Sequence, residues 1–335
     1  MQENKPVNEE PVFTGLVDLA AEKLGGEVLS ASDEFFAGKE NLLKPGRGEF
    51  IPGKFTDHGK WMDGWETRRK RSAGHDWCII KLGFPGVIKA LDIDTNHFIG
   101  NHPPYASVEG LFTERHAEDD LADADWSEVL PRSPLAPGRQ NLFSIDSGQT
   151  FTHVRLNIYP DGGIARFRTY GIVTPPSGKS GTVDLIALEN GGQPVACSDM
   201  FFSPMINLIL PGKPQNMGEG WESRRRRGAG HDWVILKSAN PGFIKEIEVD
   251  TSHFKGNYPE SCTIDACHAG GQTVDQLNQH EFKWTRVLDE QKLSPHHVHR
   301  FREELNEEGP FSHFRLNIYP DGGISRLRIF GGFAG

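Results

Sequence analysis

Arg68, Arg69, Lys70 and Arg71 stand in an unbroken row inside GWETRRKRSAGHDW (64–77), a few residues ahead of His75 and Asp76. Guanidinium groups grip carboxylates through paired N–H donors, and an imidazole exchanges protons near neutral pH. The combination suits a small anion that is held while a proton moves. The stretch returns as GWESRRRRGAGHDW (220–233), so Arg224, His231 and Asp232 repeat Arg68, His75 and Asp76. Asn101 and Asn257 each follow a glycine in DTxHFxGN (94–101 and 250–257). Their amides donate and accept, which suits a urea-like group, although a turn-forming asparagine fits the same place. Arg155 and Arg315 lead into a third repeated block, LNIYPDGGI (156–164 and 316–324).

Composition narrows what such a site can hold. The chain carries 36 Lys and Arg against 46 Asp and Glu, a formal net charge of −10. That field opposes a polyanion, so a nucleic-acid partner is not expected. Apolar runs such as MINLILPG fall far short of the roughly 20 residues of a membrane-crossing helix, so no membrane partner is expected either. The polar, acidic start MQENKPVNEEP has no secretory pattern, which predicts a cytoplasmic protein. Four cysteines form neither a disulfide framework nor a zinc set. Asp94 with His97, and Asp250 with His253, are ligand types without a third ligand at diagnostic spacing, so neither metal nor cofactor is expected.

The elements that must position these groups come in duplicate. His75 and His231 lie 156 residues apart, the LNIYPDGGI blocks 160, and the blocks VDLAAEKLGGEVLSASDEFF (17–36) and VDLIALENGGQPVACSDMFF (183–202) 166. A period this long marks a duplicated domain rather than a solenoid. The expected units are 12–173 and 182–335, joined by a Pro/Gly/Ser linker at 174–181 and preceded by a flexible N-terminus at 1–11. FIKEIEVD (243–250) alternates with a period of two, placing Phe243, Ile247 and Val249 on one face and Ile244, Glu246 and Glu248 on the other. Only the acidic segments near 117–129 and 285–307 hint at a helical period. Each half therefore reads as an antiparallel β-sandwich, an all-β fold.

In LNIYPDGGI the proline, aspartate and paired glycines predict a four-residue hairpin loop at Pro160–Gly163. That register sets Asn157 opposite Arg166 and Arg155 opposite Arg168. Like charges so placed cost roughly 0.2–1 kcal/mol unless an anion lies between them. Glu66, Glu222, Asp76, Asp232, Asp94 and Asp250 are the internal acids that could pair these arginines; at least one guanidinium left for an incoming carboxylate is the functional alternative.

These blocks, in this order from about Val12 to Gly331, resemble the two repeats of the allantoicase family. The resemblance implies two tandem jelly-roll sandwiches of the galactose-binding-domain type, hydrolysis of allantoate to ureidoglycolate and urea in purine breakdown, and a homo-oligomer. For that reaction Arg68, Arg155, Arg224 and Arg315 are candidates for the substrate carboxylate, and Asn101 or Asn257 for the ureido groups. His75 or His231 would transfer protons, each oriented by Asp76 or Asp232, or by Glu66 or Glu222. A non-catalytic module binding a carbohydrate or small anion, and a related ureido-group hydrolase, are the alternatives. Lys70 matches Arg226, Ser72 matches Gly228 and His102 matches Tyr258, so the two halves need not be equally active.

Overall fold

The computed structural model describes residues 16–114, 121, 124–175, 181–278 and 282–334. The proposed N-terminal extension and most of the linker lie outside them. The chain divides into two compact units between Thr174 and Pro175.

The described residues of the first unit form twelve strands in order: β1 Val17–Asp18, β2 Glu27–Ala31, β3 Phe55–Thr56, β4 Gly59–Lys60, β5 Trp65–Glu66, β6 Asp76–Asp94, β7 Tyr105–Leu111, β8 Ser127–Pro134, β9 Gln140–Ser144, β10 Thr150–Tyr159, β11 Gly163–Ile164 and β12 Arg166–Val173. The 19-residue β6 organises them. Its first part, from Asp76 to Lys81, pairs antiparallel with β2 on one side and β10 on the other, and β10 continues to β7 and β8. Its last part, from Gly86 to Asp94, pairs with β12 and β9, and β12 with β1. One strand thus belongs to both layers of a jelly-roll sandwich. The change of partner falls at Gly83–Gly86, where a Cβ on Gly83 would meet Leu24 O at 2.4 Å and one on Gly86 would meet Ile172 O at 2.7 Å.

Period two decides what is buried. Val154, Leu156 and Ile158 of β10, with Cys78 and Ile80 of β6, are fully buried between the layers. Arg155, Asn157 and Tyr159 therefore project from the opposite face. Fully burying one such aliphatic side chain contributes about 1.5–3 kcal/mol, so this register is strongly specified.

The second unit repeats the plan around Asp232–Asp250, which pairs with Gln193–Cys197, Phe311–Tyr319, Arg326–Phe333 and Val298–Phe301. A register shift between Ile244 and Glu246 turns the strand over, so Ile244 and Ile247 are both buried while Phe243 is 43% exposed. The uninterrupted alternation expected for 243–250 is corrected by that bulge. Among the described residues the acidic segments supply the strands Ser127–Pro134, Thr285–Lys292 and Val298–Phe301, while 117–120 and 122–123 lie outside the described residues.

The predicted hairpin at Pro160–Gly163 is also corrected. β10 lies between β6 and β7, and β12 pairs with the other part of β6, so Arg155 faces Glu109 and Ile79 while Arg168 faces Asp92. The segment is a crossing between layers. Gly163 and Ile164 pair with Glu66 and Trp65, and the backbone N–H of Lys70 donates to Asp161 Oδ2 at 2.8 Å. Both glycines are needed for close approach: a Cβ on Gly162 would meet Pro103 N at 2.6 Å, and one on Gly163 would meet the Phe98 ring at 2.0 Å.

Candidate active site

A cleft of about 430 Å³ lies in the first unit on the outward face of β6, β10, β7 and β8, lined by His75, Trp77, Ser107, Glu109, Glu128, Leu130, Arg132, Arg155, Asn157 and Tyr159. Strand register builds it. Asn157 stands between Trp77 and Ser107, Arg155 is opposite Glu109, and Glu109 is opposite Glu128. His75 enters from the loop just before β6.

The polar groups form a connected network. Arg155 Nε donates to Glu109 Oε2 at 2.7 Å, and its guanidinium lies 4.9 Å from the Trp126 ring centroid. Asn157 Nδ2 donates to the same Glu109 oxygen at 2.8 Å and to Ser107 Oγ at 3.3 Å. Burial alone would raise the Glu109 pKa, but the hydrogen bonds from Arg155 and Asn157 outweigh it and hold the carboxyl below its usual range. His75 Nε2 lies 3.2 Å from Asn157 Oδ1, and the imidazole packs against Tyr159 with centroids 4.6 Å apart.

Arg132 differs from Arg155. Its guanidinium rests 4.5 Å from the Tyr159 centroid and 4.8 Å from that of Tyr105, and among the described residues no carboxylate pairs with it. The cleft thus holds one cation satisfied by the protein and one left open, beside two carboxylates and an imidazole. Such a surface can fix an anion, accept N–H groups and move a proton.

The sequence candidates fall into two groups. His75 and Arg155 line the cleft. Asp76, adjacent to His75 but pointing the other way along the strand, is 2% exposed and accepts from Lys70 Nζ at 2.6 Å and from Ser32 Oγ at 2.9 Å. Arg68 pairs with Asp33 at 2.6 Å and lies over Phe35, away from the cleft lining. Asn101 Nδ2 donates to Glu66 Oε1 at 2.6 Å beside the layer crossing, where burial raises the Glu66 pKa against that hydrogen bond. Asp94 pairs with Arg47 at 2.8 Å. Two of the four cations in the row therefore meet the protein's own acids, Arg68 with Asp33 and Lys70 with Asp76, while Arg69 and Arg71 are exposed.

The second unit keeps the structural pairs. Arg224 pairs with Asp199, Arg226 with Asp232 and Asn257 with Glu222. His231 Nε2 lies 3.2 Å from Asn317 Oδ1, and Arg315 lies over Trp233. Burial lowers the Arg315 pKa, opposed by Asp265 and Tyr319. The facing strand, however, reverses its charges. Where Glu128 stands opposite Glu109, Arg286 stands opposite Asp265 and pairs with it, and Glu290, which bonds Ser261, occupies the place of Arg132.

Arg132, Glu109 and Glu128 were not among the candidates drawn from the sequence. They lie where the two halves diverge, so comparison of the halves passed over them; the charge reversal between aligned strands was the available signal.

Known proteins match along the whole chain. The sequence model described as the allantoicase repeat matches residues 17–174 and again 183–334. The chain is 51% identical to a probable allantoicase of Pseudomonas paraeruginosa, covering 95% of this chain and 96% of that one. It is 49% identical to probable allantoicase 1 of Burkholderia mallei, covering 96% of each. A solved allantoicase superposes with a TM-score of 0.79 at 36% identity, over 95% of this chain and 94% of that one. The Saccharomyces cerevisiae allantoicase does so with a TM-score of 0.77 at 37% identity, over 94% and 92%.

Proposed function

The chain belongs to the allantoicase family, and from that premise we propose that it hydrolyses allantoate to ureidoglycolate and urea in the cleft of its first unit. The observation that carries the choice of unit is the charge pattern across β7 and β8. Glu109, Glu128 and the open Arg132 face one space in the first unit, whereas Arg286 bonds Asp265 and an acid replaces Arg132 in the second.

Allantoate carries one carboxylate and two ureido groups on a single carbon. Arg132 supplies the free guanidinium for the carboxylate, with the N–H groups of Arg155 not used by Glu109 beside it. Glu109 and Glu128 are acceptors for ureido N–H groups. Lone-pair donation from the retained ureido nitrogen forms a C=N bond as the other C–N bond breaks. The departing nitrogen takes a proton from protonated His75 and leaves as urea. Water then adds to the same carbon and returns a proton to the imidazole, which completes ureidoglycolate. Holding the reacting groups in one orientation and moving the proton within the site are the two sources of acceleration.

Urea release from purified protein, measured with allantoate, ureidoglycolate and allantoin in turn, is expected with allantoate. In that assay His75→Ala should lower kcat at least about 100-fold, while His231→Ala keeps it. Equal loss in both variants, or none in His75→Ala, would sink the assignment to the first unit.

A further inference from the structure

The hydrogen bonds around Asn157 determine which nitrogen of His75 can act. The Asn157 side chain is buried, and its Nδ2 donates to Glu109 Oε2 at 2.8 Å and to Ser107 Oγ at 3.3 Å. Glu109, with its pKa held low, is ionised near neutral pH and only accepts. Turning the amide over would set Asn157 Oδ1 against that carboxylate and strand two acceptors facing each other. The amide nitrogen must therefore face Glu109, and Oδ1 must face His75.

Oδ1 has no proton to give. At 3.2 Å it can bond His75 Nε2 only if that nitrogen carries the hydrogen. In the neutral ring the lone pair then sits on Nδ1, which no group among the described residues bonds. Tyr159, at 4.6 Å between centroids, limits the ring's rotation.

We infer that Asn157, itself held by Glu109, is a positioning residue that locks His75 as the Nε2–H tautomer and leaves Nδ1 to exchange the proton with substrate; its catalytic use rests on the reading of His75 above. When Nδ1 takes up a proton, Nε2–H stays on Asn157, so the ring keeps its place through both halves of the reaction. The arrangement is built a second time with different side chains. Asn317 Nδ2 donates to Asp265 Oδ2 at 2.8 Å and to Thr263 Oγ1 at 3.0 Å, with His231 Nε2 3.2 Å from Asn317 Oδ1 and Tyr319 4.8 Å away. Glu becomes Asp and Ser becomes Thr, yet the amide nitrogen faces a carboxylate oxygen in both.

The direct test is long-range 1H–15N NMR of the histidine rings in the unsubstituted, full-length protein, with His75 assigned by its disappearance in His75→Gln. Nε2 is expected to show the shift of a proton-bearing nitrogen and Nδ1 that of a lone-pair nitrogen. A proton on Nδ1 in the neutral ring overturns the lock whatever the activity. The catalytic use is read from the pH profile of kcat/KM for Asn157→Asp. A carboxylate in place of the amide stabilises the imidazolium, and His75 must start protonated, so the alkaline limb should move up by about one unit or more. The expected tautomer with an unmoved alkaline limb would leave the lock standing and overturn the role of His75 in proton transfer, so the two failures are distinguishable.

Discussion

Arg132→Gln isolates the charge assigned to the substrate carboxylate. The guanidinium touches the rings of Tyr105 and Tyr159 and pairs with no carboxylate among the described residues, so its removal strands no acid. The structural loss is two exposed cation–π contacts, about 0.5–1 kcal/mol each. At roughly 2–4 °C per kcal/mol for a domain of this size, the melting temperature should fall by only a few degrees. The loss to substrate is larger: a hydrogen bond between charged partners contributes about 1.5–3 kcal/mol. With tenfold per 1.4 kcal/mol, KM for allantoate should rise about 10- to 150-fold. The carboxylate keeps its charge as the C–N bond breaks, so kcat should change little. Arg132→Lys restores the charge without the forked donors and should fall between the two. Steady-state urea release against allantoate concentration, with a melting curve for each variant, supplies both numbers. A folded Arg132→Gln protein whose KM stays within twofold of the parent would refute the placement of the carboxylate.

Two further predictions concern the scaffold. Asp18 is buried beside Arg168, and burial pushes its pKa up to about 6 against that guanidinium and two backbone N–H bonds. Its folded value lies above the unfolded carboxylate's ordinary value near 3.9, so the folded state binds the extra proton. The stability this contributes is fully present below about pH 4 and is lost as pH rises through 6. The stability difference between the parent and Asp18→Asn should therefore move in favour of the parent as pH falls from 7 to 4.5, and urea unfolding at both pH values checks the sign; no change would remove the burial argument. Gly163→Ala places a methyl 2.0 Å from the Phe98 ring and should destabilise by about 1–3 kcal/mol in the same unfolding assay, and a variant within 0.5 kcal/mol of the parent would show that the crossing can relax.

By itself the sequence determined the duplication, the all-β class, the family and two members of the cleft. Repetition and period-two burial are written along the chain, and both survive without knowledge of partners. It did not determine which repeated residues do chemistry. Asp76, Arg68 and Glu66 recur in the second half as Asp232, Arg224 and Glu222, and in both halves they pair internally with Lys70 or Arg226, Asp33 or Asp199, and Asn101 or Asn257. Recurrence marked the bonds that hold a sandwich together. The cleft instead joins His75, Glu109, Glu128, Arg132 and Asn157, which come from a loop and three strands spread over more than eighty residues of chain. Only pairing brings them together, because β6 serves both layers and places β10 beside β7 rather than β12. Adjacent residues of a strand point to opposite faces, while residues far apart in the chain share one. That separation made His75 legible as a candidate and left its neighbours, and the nitrogen it uses, to the tertiary structure.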